Sequence, residues 1–144
     1  MAGKIKKNRD ITIGKKRFPH WKAPEVQERA LNKYHWMVQY ANKFTLGKYT
    51  DIGAFTYINA RNGVVLEDGV QVGSHCSIYS DNSIDKTHGP IVIKSGACIG
   101  AHSIILPGVT IGENTVVGAH SLVKRDLPAN VVAYGVPAKI QGRR

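Results

Sequence analysis

The chain has 144 residues, enough for one domain with a small appendage, and its 42% hydrophobic content suffices for a core. It has no apolar run long enough to suggest a membrane-crossing helix, and its basic start passes into a polar segment, so a secretory leader is not expected. The net charge of +10 is uneven: Lys4, Lys6, Lys7, Arg9, Lys15, Lys16, Arg17 and Lys22 face a single acid, Asp10, across residues 1–22. Such a run suits nucleic acid, an anionic surface or phosphate-bearing small molecules, or is simply a solvated arm. Aromatics interleaved with Arg as in nucleic-acid modules are missing, so nucleic acid is not the expected partner.

In chain order, Ile11–Ile13 has short strand character. The segment from Pro24 to about Lys43 reads as an amphipathic helix, with Pro24 in its first turn and Leu31, Tyr34, Val38 and Ala41 recurring at three and four. This helix is expected to cap one end of the main domain, which divides the chain into a basic arm with capping helix (1–44) and the domain itself (45–144).

From Ile93 to Lys124 the chain repeats every six residues: IKSGAC, IGAHSI, ILPGVT, IGENTV, VGAHSL. The first position is always Ile or Val (Ile93, Ile99, Ile105, Ile111, Val117, Val123), and the fifth is small or β-branched (Ala97, Ser103, Val109, Thr115, Ser121). A fixed short period is the mark of a solenoid, in which each repeat buries its apolar face by stacking on the next. Upstream, Leu46, Ile52 and Ile58 keep the period. After a slip at Val64-Val65 it resumes with Leu66, Val72 and Ile78. A further hexad is expected to open at Ile84 and break off, because the pattern restarts at Ile93, three residues late. The segment Asp85–Pro90 is therefore an insertion, and chemistry on a regular scaffold is usually carried by such a loop.

Cys76 falls at an inward fifth position and Cys98 at a sixth, so both read as small buried hydrophobes rather than a disulfide, in keeping with a cytoplasmic setting. The tail after Lys124 contains a strand candidate, VVAY, and is expected to fold back along the last coils.

The stretch IGAHSIILPGVTIGENTVVGAHSLVKRDLPANVVAYGVPAKI carries the repeat, a PGVTIG turn, a K-x-D-x-P-x-N element and a G-V-P-A-K ending. In these it resembles the hexapeptide-repeat acyltransferases, which include maltose, galactoside and xenobiotic O-acetyltransferases and sugar acetyltransferases of polysaccharide synthesis. The resemblance covers roughly residues 45–142. It implies a mainly β fold, a single-stranded left-handed parallel β-helix, and a homotrimer that transfers an acetyl group from acetyl-CoA to a hydroxyl or amine of a sugar or nucleotide-sugar. A histidine is the general base in that family, and no metal is expected. The small chain, with no long loop over the site, favours an open cleft and a cell-surface polysaccharide pathway.

Six histidines compete for the role of base. His20 and His35 lie outside the expected solenoid. His75, His102 and His120 each occupy a fourth position, which repetition marks as an outward-facing solenoid residue. His88 alone lies in the insertion and is the candidate base, with His75 as the alternative and Asp85 as an orienting carboxylate. By alignment with the maltose and galactoside enzymes the base would fall at Ser83, five residues before His88. Tyr79, Asp81, Asn82 and Ser83 flank the insertion and are candidates for binding the acceptor. The resemblance assigns the pantetheine of CoA to Ala101 and Ala119, and its adenosine and phosphates to Lys124, Arg125, Lys139 and, by clustering, Arg143.

Two further readings remain at this level. A γ-type carbonic anhydrase needs converging imidazoles, two of them five residues apart, a spacing that His75, His102 and His120 lack. The other is an inactive basic solenoid that binds anionic glycan or a charged surface.

Overall fold

The computed structural model describes Lys15 and residues 17–144. The strand expected at Ile11–Ile13 and most of the basic arm lie outside the described residues. From Met37 onward the chain winds as a parallel β-solenoid of five coils, each contributing a short strand to up to three faces.

The first coil carries β1 (Met37–Gln39), β2 (Phe44–Leu46) and β3 (Asp51–Ile52), and the second β4 (Tyr57–Asn59), β5 (Val64–Leu66) and β6 (Gln71–Val72). The third opens with β7 (Ser77–Tyr79), leaves the solenoid as a hairpin of β8 (Asp81–Asn82) and β9 (Thr87–His88), and returns as β10 (Ile91–Ile93) and β11 (Cys98–Ile99). The fourth holds β12 (Ile104–Ile105), β13 (Thr110–Ile111) and β14 (Val116–Val117). The last runs from β15 (Leu122–Val123) through a bridge at Leu127 to β16 (Val131–Gly135), and β17 (Ala138–Arg143) turns back. Face A stacks β1, β4, β7, β12 and β15; face B stacks β2, β5, β10 and β13; face C stacks β3, β6, β11, β14 and β16. All the pairings between coils are parallel; β17 runs antiparallel to β16, and β8 and β9 pair antiparallel off the stack.

The core is the axis. Val38, Ile58, Ile78, Ile105 and Val123 fill it from face A, Leu66, Ile93 and Ile111 from face B, and Val72, Ile99 and Val117 from face C, all buried. Full burial of one such side chain is worth about 1.5–3 kcal/mol, and stacking repeats that gain at every coil. The fifth positions line the corners. Their buried hydroxyls are satisfied by the carbonyls of the next coil: Thr56 Oγ1 donates to Gly73 O (2.8 Å), Ser103 Oγ to Gly118 O (3.1 Å) and Thr115 Oγ1 to Pro128 O (2.5 Å). Cys76 takes the same place, its thiol donating to Gly100 O at 3.3 Å, and burial pushes that thiol's pKa up.

Two expectations are corrected. No α-helix forms between Pro24 and Lys43; a single 3-10 turn, Ala41–Lys43, is all the helix there. The segment enters as irregular chain, turns at residues 32–35 and contributes β1, so the first coil begins at Met37 rather than Leu46. Asn32 Oδ1 accepts from the amides of Tyr34 and Trp36, and His35 adopts φ 64°, geometry that a helix cannot contain. Of the four residues read as a helical stripe, Leu31 and Tyr34 are exposed, Ala41 is half-buried and only Val38 enters the core, where Trp36 joins it. Ile84 does not open a hexad either: it lies in the hairpin and is 93% exposed. The excursion starts at Asp81, directly after buried Ser80.

The slip at Val64-Val65 also finds its cause. The step from face A to face B takes eight residues in both early coils (Val38 to Leu46, Ile58 to Leu66) and six in the fourth (Ile105 to Ile111). In the third coil it takes fifteen, Ile78 to Ile93, and the hairpin is the difference.

Candidate active site

The hairpin is anchored from both sides. Within it Asp81 pairs with His88 and Asn82 with Thr87, while Ser83 to Lys86 form the exposed tip. Beneath, the corner of the preceding coil grips its base: Asn62 N donates to Ser80 Oγ (2.9 Å), Asn62 Nδ2 to Ser80 O (2.9 Å), and an Arg61 guanidinium nitrogen lies 3.4 Å from Asp81 Oδ2. Gly89 N closes the hairpin onto Ser80 O at 3.0 Å. On the other side Gly108 N donates to Gly89 O (3.2 Å), and a Cβ on Gly89 would stand only 3.0 Å from the Cα of Gly108. Only glycine lets the two backbones approach so closely.

His88 is therefore exposed on a short, tied-down ribbon, with Asp81 as its cross-strand neighbour. Asp85 turns elsewhere: its Oδ1 accepts from Thr87 Oγ1 (2.6 Å) and Thr87 N (3.0 Å). Those two bonds, the hydroxyl first, hold its pKa below the usual carboxylate value. Tyr79 is the last residue of β7 and stands next to the hairpin base, its ring 5.8 Å from that of Tyr57. Arg61 and Asn62 were not singled out by the sequence. The signal was available: Ile58 and Ile78 differ by one coil of twenty residues, which places Arg61 beneath Asp81 and Asn62 beneath Asn82.

His20 apart, the other histidines form a ladder along the corner between faces C and A. His35, Phe55, His75, His102 and His120 each stand one coil apart with φ between 55° and 64°. His75 and His102 stack with centroids 4.8 Å apart and 2° between planes, His102 and His120 at 4.9 Å and 5°. Phe55 lies 5.3 Å from His75. All five rings are exposed. Parallel rings direct their nitrogen lone pairs side by side rather than towards a common point. Among the described residues no group of three His, Cys, Asp or Glu is placed to hold a metal ion.

Ala101 and Ala119 precede two of these rungs. Their coils approach so closely that a Cβ on Gly100 would lie 2.3 Å from Ala119 N. Among the described residues neither the Ala101 nor the Ala119 amide donates to an acceptor of the chain. Two backbone donors thus stand one coil apart without a protein acceptor, Ala101 half-buried and Ala119 exposed. Lys124 and Arg125 are exposed just beyond β15, the outermost strand of face A, and Lys139 and Arg143 are exposed on β17, the outermost strand of face C.

Comparisons with known proteins agree with this architecture. The family model described as bacterial transferase hexapeptide (six repeats) matches residues 90–125, the segment from β10 to β15. Galactoside O-acetyltransferase of Escherichia coli is 35% identical over 112 residues, 67% of this chain and 55% of that protein. A crystal structure of a hexapeptide-repeat acetyltransferase from Vibrio cholerae, complexed with acetyl-coenzyme A, superposes with a TM-score of 0.71 at 27% identity, covering 75% of this chain and 64% of that one. A variant of AntD, an N-acyltransferase from Bacillus cereus solved with dTDP and coenzyme A, gives 0.67 at 28% identity, covering 76% and 65%. The molecule is thus a hexapeptide-repeat β-solenoid in class. It belongs to the hexapeptide-repeat acyltransferase family. The chain spans a little over half the length of the curated relatives it matches.

Proposed function

We propose that this protein transfers an acetyl group from acetyl-CoA to a hydroxyl or amine of a sugar or nucleotide-linked sugar, with His88 as general base. The observation that carries the reading is the anchored hairpin: where the chain departs from its repeat, it presents one imidazole outside the stacked ladder. The related V. cholerae and B. cereus proteins bind acetyl-CoA and CoA, and the latter also dTDP, which supports both donor and acceptor class.

Acetyl-CoA supplies the thioester carbonyl. The amides of Ala101 and Ala119, which meet no protein acceptor, suit the amide carbonyls of pantetheine, and Lys124, Arg125, Lys139 and Arg143 suit the phosphates of CoA. His88 removes the proton from the acceptor O–H or N–H as that atom attacks the carbonyl. The new C–O or C–N bond forms as the C–S bond breaks, and the imidazolium returns its proton to the departing thiolate. Imidazole suits both transfers because its pKa lies near neutrality. Asp81, paired across the hairpin, is better placed than Asp85 to steady His88. His75, the alternative base, stands within the ladder between Phe55 and His102.

The test is thiol release from acetyl-CoA against a panel of sugars, amino sugars and their nucleotide derivatives. His88→Ala should lower turnover about 10²–10⁴-fold while CoA binding persists. Undiminished transfer in that variant would move the base to another residue. CoA binding without release for any acceptor would mean that the panel lacks the acceptor. Neither binding nor release would favour an inactive solenoid.

A further inference from the structure

A row of side chains on face A leads to the hairpin and has no part in the chemistry above. Gln39, Asn59 and Tyr79 are partners in register on β1, β4 and β7, so they project along one line at about 4.8 Å per coil. The line ends one residue before Ser80, where the hairpin departs. Tyr57 stands beside it, its ring against Tyr79 and its hydroxyl hydrogen-bonded to the Gln39 side chain. Burial first, then the neighbouring Tyr79, pushes the Tyr57 pKa up, so the phenol keeps its proton.

Two guanidinium groups flank this row, each already held. In the amide orientation that satisfies both neighbours, Gln39 Oε1 accepts from Arg29 Nε at 3.2 Å and from an Arg29 terminal nitrogen at 3.0 Å. Arg29 Nε also lies 3.6 Å from Glu28. That carboxylate is itself engaged by the amides of Ala41 (2.7 Å) and Tyr40 (2.8 Å), which hold its pKa down. Arg61 lies over the Tyr40 ring at 6.0 Å and meets Asp81 at 3.4 Å. Yet the two arginine side chains are 63% and 58% exposed. Each is fixed along one edge and turns its remaining N–H groups to solvent. A planar fork held in place loses little entropy when it binds, and its spacing matches the oxygens of a phosphate. Tyrosine faces beside it suit a sugar or base ring.

We propose that this row is the subsite for the phosphate-bearing part of the acceptor. Arg29 and Arg61 engage a phosphate or diphosphate, the tyrosines lie against the attached rings, and the sugar to be acylated sits at the hairpin. The proposal rests on the reading of the hairpin as the acceptor site. Its chemistry is shared by sugar phosphates and nucleoside-diphosphate sugars.

Binding, not turnover, is the test, since it leaves the role of His88 aside. Glucose, glucose 1-phosphate and dTDP-glucose are titrated into the full chain by calorimetry, with Arg29→Gln, Arg61→Gln and the double variant alongside. The phosphorylated ligands should bind at least tenfold more tightly than glucose, and the double variant should abolish that preference. A further gain for dTDP-glucose over glucose 1-phosphate would assign the base to the tyrosines; equal affinity would confine recognition to the phosphate. No preference for phosphate in the unsubstituted protein, or a preference that survives the double variant, overturns the proposal. Should the double variant fail to fold, Arg29→Lys with Arg61→Lys keeps the charge but not the fork, and the preference should then fall severalfold. If His88→Ala left turnover intact while the arginine variants lost phosphate preference, the base assignment would fail and this subsite would stand.

Discussion

Asp85 and Thr87 form a closed unit at the hairpin tip, and it has a pH signature. The folded carboxyl is stabilised in its ionised form, so its pKa lies below the unfolded value; the bonds to Thr87 are present above the ordinary carboxylate range and are lost as pH falls through the depressed value. Followed by NMR, the Thr87 amide resonance should titrate with a midpoint below 3.8, the unperturbed value, and that low midpoint should disappear in Asp85→Asn. A midpoint at the ordinary value would mean that the two bonds do not persist in solution. The same contact explains why spacing is misleading for this residue. Three residues from His88 is a partner's distance, but a carboxylate two residues before a threonine satisfies itself locally within a turn.

The ladder is the clearest element-scale consequence of the repeat. Its rungs lie in left-handed backbone, which Asn and His tolerate and β-branched residues do not. His102→Asn should lose only the ring contacts, about 1 kcal/mol, whereas His102→Val adds backbone strain of about 1–3 kcal/mol. Thermal melts should therefore rank the natural chain above the Asn variant and the Val variant last; equal melting of the two variants would contradict the strain argument. Coils from Ile93 onward are legible in the sequence because every first and fifth position is enforced by burial. The first coil is not. Its eight-residue corner, Val38 to Leu46, breaks the hexad, and spacings of three and four between Leu31 and Ala41 imitate a helix. Ile84 misleads for a related reason: it keeps the count from Ile78, but counting carries no information on whether the chain has already left the stack. The location of the site is legible as an interruption. Its supports, Arg61 and Asn62, are hidden because only the coil period brings them beneath the hairpin.

For the whole molecule, the later coils of face A present Ile104 and Leu122 outward beside the ladder, away from the row of Gln39, Asn59 and Tyr79, with Ile104 38% exposed. We propose that this outer part of face A, on β12 and β15, packs three chains together and leaves the tyrosine row open. Light scattering should then report three times 15.8 kDa, and Ile104→Glu should shift the mass towards a single chain; one-chain mass for the unsubstituted protein would refute the assembly. The reversal at β17 bears on a different hazard. A stack of parallel coils invites another copy to continue it end to end, because its last coil displays unpaired backbone of the same polarity as the strands beneath. On face C that invitation is withdrawn: β17 runs against β16, occupies its outer hydrogen bonds and leaves a charged ribbon ending in Arg143 and Arg144. On that face the tail opposes end-to-end continuation of a fold built by repetition.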